Sequence, residues 1–237
     1  MHVDSHKWYI PQIDKRKLRE LSKRRNIPGL IHFFIYFFTF FFFGYLSYLS
    51  WGTWWFLLFF FIYSTIYTFS VSNWHETLHR TAFKTRWLND LFFHISSFML
   101  NLDGFSSRWS HIDHHSNTLR TEGEYDHEIE ISRPTDLLKF FLNFIPLTGL
   151  IYIHRSSFVH TCKMAFSIKD YNARIHYVPD NEWWKCVWSA RITILIWVLI
   201  IIYAFYISSI LPILFYFLPA YFGKPIHFAI NVTQHLA

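Results

Sequence analysis

The chain has 237 residues, of which 52% are hydrophobic, 22% aromatic and only 16% charged; 22 Lys and Arg stand against 16 Asp and Glu, for a net charge of +6. Intrinsic disorder is excluded because chains that stay unfolded are poor in apolar residues, and a disulfide scaffold is excluded because Cys162 and Cys186 are the only cysteines. A charged fraction well below the roughly 25% of ordinary globular domains points to a membrane chain.

Residues 1–29 are polar and contain Lys23-Arg24-Arg25; Ile13, Leu18 and Leu21 fall along one helical face, with Lys15, Arg16, Arg19 and Lys23 elsewhere. This pattern predicts a short helix lying on the membrane surface, and it lacks the short apolar core of a secretory signal. From Asn26 to His75 there follow 50 residues without Asp, Glu, Lys or Arg. As helix that run measures about 75 Å, enough for two crossings of about 30 Å each and a turn. With Ser50-Trp51-Gly52-Thr53 as the turn, the spans are predicted over residues 30–49 and 54–72, making 30–72 a first hairpin.

Residues 73–186 carry most of the charge and are predicted to form a cytoplasmic cap. Within it, residues 140–154 are apolar but hold Pro146 and Gly149; they are too short to span and read as an interfacial or re-entrant helix. The aromatic stretch 177–184 predicts a headgroup-level anchor. A second hairpin is predicted over 187–228, turning near Ser208-Ser209, with kinks at Pro212 and Pro219 and with Arg191 and Lys224 reaching for the headgroups. Residues 229–237 follow as a closing segment. Together, residues 1–237 are predicted to form one all-α, multi-pass membrane domain of four transmembrane helices in two hairpins, with a cytoplasmic His-rich helical cap.

Neither predicted hairpin tip carries Lys or Arg. The positive-inside rule therefore places both termini and the cap in the cytoplasm. The basic surface then faces anionic headgroups, and nucleic acid is not expected as a partner because no nucleic-acid-binding fold signature accompanies the charge.

There are 15 histidines. His75 and His79 are four apart and share a helix face, although a bare pair of this spacing arises about once by chance at this frequency. His111, His114 and His115 gather three imidazoles on one face, which is a rarer coincidence. Near the end, Asn231 and His235 are also four apart. In the predicted topology all three clusters reach the same membrane face, and imidazole ligates Zn, Fe, Cu and Ni. Six histidines exceed the four ligands of one tetrahedral zinc, so a two-metal centre explains the count better. His32, His94, His154, His160 and His176 read as satisfied polar residues, His2 and His6 as terminal, and His127 as solvated in an acidic stretch. His227, two turns before His235, is ambiguous. A rival reading takes His75, Glu76 and His79 as the HExxH helix of a membrane zinc metalloprotease, with Glu76 as general base; it leaves the second cluster idle.

These strings resemble the membrane fatty acid desaturase and hydroxylase superfamily over almost the whole chain. The first box of that pattern stands at 75–79, the second at 111–115 with Trp109 before it and Ser116-Asn117-Thr118 after it, and the Asn231 to His235 segment is similar to the extra ligand segment of acyl desaturases. Asn73-Trp74-His75-Glu76 and Ala82-Phe83-Lys84-Thr85-Arg86-Trp87-Leu88-Asn89 look like the bacterial acyl-lipid desaturase-like branch. The resemblance implies two non-haem irons held by His75, His79, His111, His114, His115 and His235. Asn231 is an additional candidate, and Glu76 and Asp113 are candidates for orienting the ligating rings. It further implies O2, an electron donor such as a ferredoxin or cytochrome b5-type protein, and a membrane lipid or fatty acyl substrate that gains a double bond, or a hydroxyl in the hydroxylase branch. The membrane would be the plasma membrane in a bacterium and the endoplasmic reticulum in a eukaryote. In the family pattern another HxxHH box follows the Gln-His segment; the sequence in hand stops at Ala237, so the expectation is a C-terminally truncated and inactive fragment.

Overall fold

The computed structural model describes residues 12–117, 137–148, 157–168 and 177–235, with the side chains of the last helix described as far as Ile230. His2, His6, His127, His154 and His176 lie outside them, as does all of the acidic stretch 122–130. Every regular element among the described residues is a helix. A seven-residue helix, α1 (Lys15–Leu21), is capped by the Asp14 carboxylate, which accepts from the Arg16 amide at 2.8 Å. Ile13, just before it, and Leu18 and Leu21 within it are exposed.

Two long helices form the first hairpin: α2 (Asn26–Leu49), then α3 (Trp55–Thr68) continued by α4 (Ser70–Leu78) after a one-residue irregularity at Phe69. The turn falls at the predicted place, with Gly52 at φ 81°. Each arm has 24 residues, about 36 Å of helix against a hydrocarbon core of about 30 Å. Of α2 only Phe33, Tyr36 and Ser47 are buried within the protein. Phe34, Ile35, Phe38 and Phe41 all point outward, a surface that only lipid can cover without a large hydrophobic cost. The inner face is an aromatic seam in which Tyr36, Phe40, Phe60, Tyr63 and Tyr67 interlock. The second arm runs further than predicted, through His75 to Leu78, because no Gly or Pro interrupts it before Arg80 and its one charged residue, Glu76, lies in the last turn.

The cap holds α5 (Arg86–Met99), α6 (Gly104–Asn117), α7 (Leu137–Leu142) and α8 (Ser157–Ala165). The described part of residues 140–154 is the end of α7 and a set of turns; residues 149–154 lie outside the described residues. The third long helix, α9 (Trp183–Tyr206), begins inside the predicted anchor. Trp184 and Trp188 are exposed there, but Trp183 is buried and donates to Ser167 Oγ at 2.9 Å, so it is core rather than anchor. With three helices among the described residues long and apolar enough to cross, this is a multi-pass, all-α membrane protein.

The return leg is broken into α10 (Leu211–Phe217), α11 (Pro219–Phe222) and α12 (Lys224–His235). Pro212 does not kink it, because it sits in the first turn of α10, where its missing N–H has no helical acceptor to serve. Pro219 and Pro225 do break the ladder, freeing the carbonyls four residues earlier, and a neighbour fills each one. Tyr63 OH donates to the Phe215 carbonyl at 2.9 Å, and the Leu147 amide to the Tyr221 carbonyl at 3.2 Å. Helix breaks persist in membranes when nearby groups satisfy the backbone in this way. Tyr63→Phe is therefore expected to cost about 1–2 kcal/mol with little change in volume, read as a lower thermal midpoint in detergent.

The chain has only 7 glycines, and among the described residues four helices end in a left-handed residue of another type: Arg80, Asn101, Ser167 and Ser208, with φ between 49° and 57°. Each makes the paired reverse bonds of a Schellman end. After α4, for example, the Arg80 amide donates to the Thr77 carbonyl and the Thr81 amide to the Glu76 carbonyl, both at 3.0 Å.

Candidate metal centre

The end of α4 carries His75, and His79 is its C-cap. The loop after it is tied down by a buried amide: Asn89 accepts from the Phe83 amide at 3.1 Å and donates to the Phe83 and Thr85 carbonyls at 2.9 and 3.0 Å. Phe83 itself is fully buried between Phe33 and Phe92, each ring centroid 5.3 Å away. The start of α2 closes over this loop, since Asn26 Oδ1 accepts from the Thr85 amide at 3.0 Å. These contacts turn the chain into α5 and hold the end of α4 against the cap.

Helix α6 carries His111, His114 and His115. Its N-cap is Asp103, which is fully buried and accepts from the Ser106 amide at 2.9 Å. The Ser106 hydroxyl makes a short bond to the same carboxylate and lies 3.1 Å from His160 Nε2 on α8. The Asp103 amide donates to Thr161 Oγ1 at 3.2 Å. Sequence reasoning did not single out Asp103, because its role rests on burial against α8.

Burial outweighs the Ser106 hydrogen bonds and pushes the Asp103 carboxyl up to about 6. A carboxyl raised on folding lends stability that is present below its unfolded value, about 4, and is lost as pH rises through its folded value. Asp103→Asn keeps the cap. It is expected to match the parent near pH 4 and to exceed it in stability above pH 6, measured by thermal unfolding across that range.

The two histidine clusters meet. The Nε2 atoms of His79, His111 and His115 form a triangle with sides of 3.2, 3.1 and 3.0 Å. His75 joins them, so that one ligand atom from each of the four rings lies within 4.8 Å of all the others. The centre of a triangle of such sides is about 1.8 Å from each corner, close to the usual metal–imidazole distance of about 2.0–2.1 Å, so the three nitrogens are spaced as ligands of one ion would be. Burial, then the neighbouring His75, His111 and His115, holds His79 down at about 4, which keeps its ring in the neutral, ligating form at physiological pH. Trp74 meets the His111 ring edge-on at 5.2 Å. The donor set, four imidazoles on two anchored helices, fits a borderline transition metal such as iron or zinc.

The other sequence candidates fall at varying distances. His114 is buried beside the group, its ring 5.6 Å from His111 and 5.4 Å from His115, outside the four-nitrogen set. Glu76 bonds to Thr81 Oγ1 at 2.6 Å and stands 3.8 Å from His75 Nδ1, beyond hydrogen-bond reach. Asp113 is half-buried on α6. Asn231 and His235 lie on α12, which packs along α3; their side chains are outside the described set. The remaining described histidines are placed elsewhere. His32 Nε2 bonds Asn73 Oδ1 at 2.8 Å, His94 sits against Phe93 and Phe105, and the His227 ring meets Phe69 edge-on.

The fatty acid desaturase family profile matches residues 52–237. The chain belongs to the fatty acid desaturase family. No curated protein and no solved structure matches the sequence. Membership makes the chain a lipid oxidoreductase of the desaturase and hydroxylase type, and it explains why His111 and His115 join the 75–79 pair rather than standing idle, as the protease reading required.

Proposed function

We propose that the chain introduces a double bond into a membrane-borne fatty acyl chain, using O2 and electrons from a ferredoxin or cytochrome b5-type donor. The observation that carries this reading is the convergence of His75, His79, His111 and His115 on one point at the end of a membrane-length apolar helix. These four would hold one iron, with His114, His235 and Asn231 as the candidates toward a second. Bound iron supplies the O2-dependent removal of hydrogen from an unactivated carbon, chemistry that side chains alone do not perform.

The protein's own contribution is binding and placement. The aromatic inner face of α3 leads along the membrane-length arm toward α4, the helix that carries His75, and would receive an acyl tail on that side. Glu76, held by Thr81 and 3.8 Å from His75 Nδ1, is the candidate to orient that ring by closing to hydrogen-bond distance; Asp113 is the corresponding candidate on α6. The reading includes cytoplasmic histidine clusters and cytoplasmic termini, from the placement of Lys and Arg, in a plasma membrane or endoplasmic reticulum according to the host. Expression of the complete open reading frame in a host of defined lipid composition tests it. New unsaturated acyl chains that disappear in His79→Ala are expected, whereas new hydroxy acids would assign the hydroxylase branch and unchanged lipids would count against both.

A further inference from the structure

Helix α5 lies between the two histidine-bearing helices and packs on both α4 and α6. It presents Asp90 to an arginine from each side. Arg80 Nη2 is 3.2 Å from Asp90 Oδ1 and 3.5 Å from Oδ2, and Arg108 Nη2 is 3.4 Å from the same Oδ1. Arg80 follows His79 directly, and Arg108 precedes His111 by three residues on α6. One carboxylate therefore joins the end of the first histidine helix to the second.

We propose that Asp90 is a positioning residue for the metal centre: shared by Arg80 and Arg108, it draws the end of α4 toward α6 and sets the approach of His79 to His111 and His115. This rests on the four-histidine reading above. Two features besides the distances support it. Arg80 occupies the left-handed position of a Schellman end, with φ 55°, where glycine is the usual residue; an arginine there is strained, and its side chain is the one that reaches Asp90. Arg108 is fixed in turn, its guanidinium 4.4 Å above the Phe93 ring and its side chain only 24% exposed. Without Asp90 two guanidinium groups would face each other in a partly desolvated place, where like charges repel more strongly than in water. The natural response is for the α4 end and α6 to part, which separates the nitrogens of His79 from those of His111 and His115.

The test uses the full chain in lipid nanodiscs with Co(II) as the probe. The parent is expected to bind Co(II) with a ligand-field band that His79→Ala abolishes. Asp90→Asn is expected to weaken binding at least tenfold and to shift the band, because the geometry of the ligands changes and not only the local charge. Adding Arg80→Gln to Asp90→Asn, or raising NaCl from about 0.05 to about 0.5 M, is expected to restore most of the affinity by removing or screening the repulsion. Parental affinity and band in Asp90→Asn would overturn the proposal, as would a loss that neither remedy relieves, since that marks lost packing. If Asp90→Asn does not accumulate folded, the double variant decides: recovery of folded protein with near-parental binding supports the proposal, and failure of that variant too overturns it. A parent without a His79-dependent band would instead sink the four-histidine reading, and this inference with it.

Discussion

His79→Ala is expected to leave the chain folded in the membrane but without stoichiometric metal. Its Nε2 is the corner shared by the two clusters, 3.2 Å from that of His111 and 3.1 Å from that of His115, so its loss removes the donor that joins the boxes. Groups that only orient a ligand are worth about 10–100-fold in metal affinity, and a direct ligand should cost more. Elemental analysis of purified protein should show bound iron falling by more than about 100-fold in affinity terms. His94→Ala should retain it, because His94 is packed among Phe93, Phe105 and Gly104 rather than in the group. If His111→Ala kept its full metal while Glu76→Ala abolished peptide hydrolysis, the metalloprotease reading would replace the present one.

The second large effect is steric. A Cβ added at Gly223 would lie 2.0 Å from the Ser64 carbonyl oxygen, 2.2 Å from its carbon and 2.6 Å from the Thr65 nitrogen. All three atoms are backbone, so no rotamer change relieves the overlap and α11 must move off α3. Overpacking a core costs about 1–3 kcal/mol even where side chains give way, and Gly223→Ala should reach or exceed the upper end. The displacement would also carry α12, and with it Asn231 and His235. Gly52→Ala provides the contrast: Gly52 has φ 81° but nothing within 4 Å, so only the left-handed strain of about 1–2 kcal/mol applies. Thermal unfolding in detergent compares the two, and equal midpoints would show that the α3–α11 contact does not govern stability.

Much of the fold was legible because it rests on hydrophobicity and length. The 50-residue uncharged run forces a hairpin, and Ser50 to Thr53 holds the only left-handed glycine among the described residues. The His75–His79 and His111–His115 spacings put their imidazoles on single faces whatever surrounds them. Three kinds of feature were not legible. The fate of a proline depends on its register, so Pro212 starts a helix while Pro219 breaks one, and the acceptor freed by Pro219 is served by Tyr63, 152 residues before Phe215 in sequence. Burial separates alike residues: Trp183 is core and Trp184 faces outward. The polar groups that set the site, Asn89, Asp103 and the Arg80–Asp90–Arg108 cluster, act through contacts between helices, and their residue types carry no motif.

The most direct test of the account is the metal content of the chain purified anaerobically from iron- and zinc-supplied cells, compared with that of a His111→Ala, His115→Ala double variant. Iron in the parent, lost from the double variant together with any zinc, is the expected result, because both clusters serve one centre. One zinc per chain retained unchanged in the double variant would mean that His75 and His79 bind metal without α6, and would contradict it.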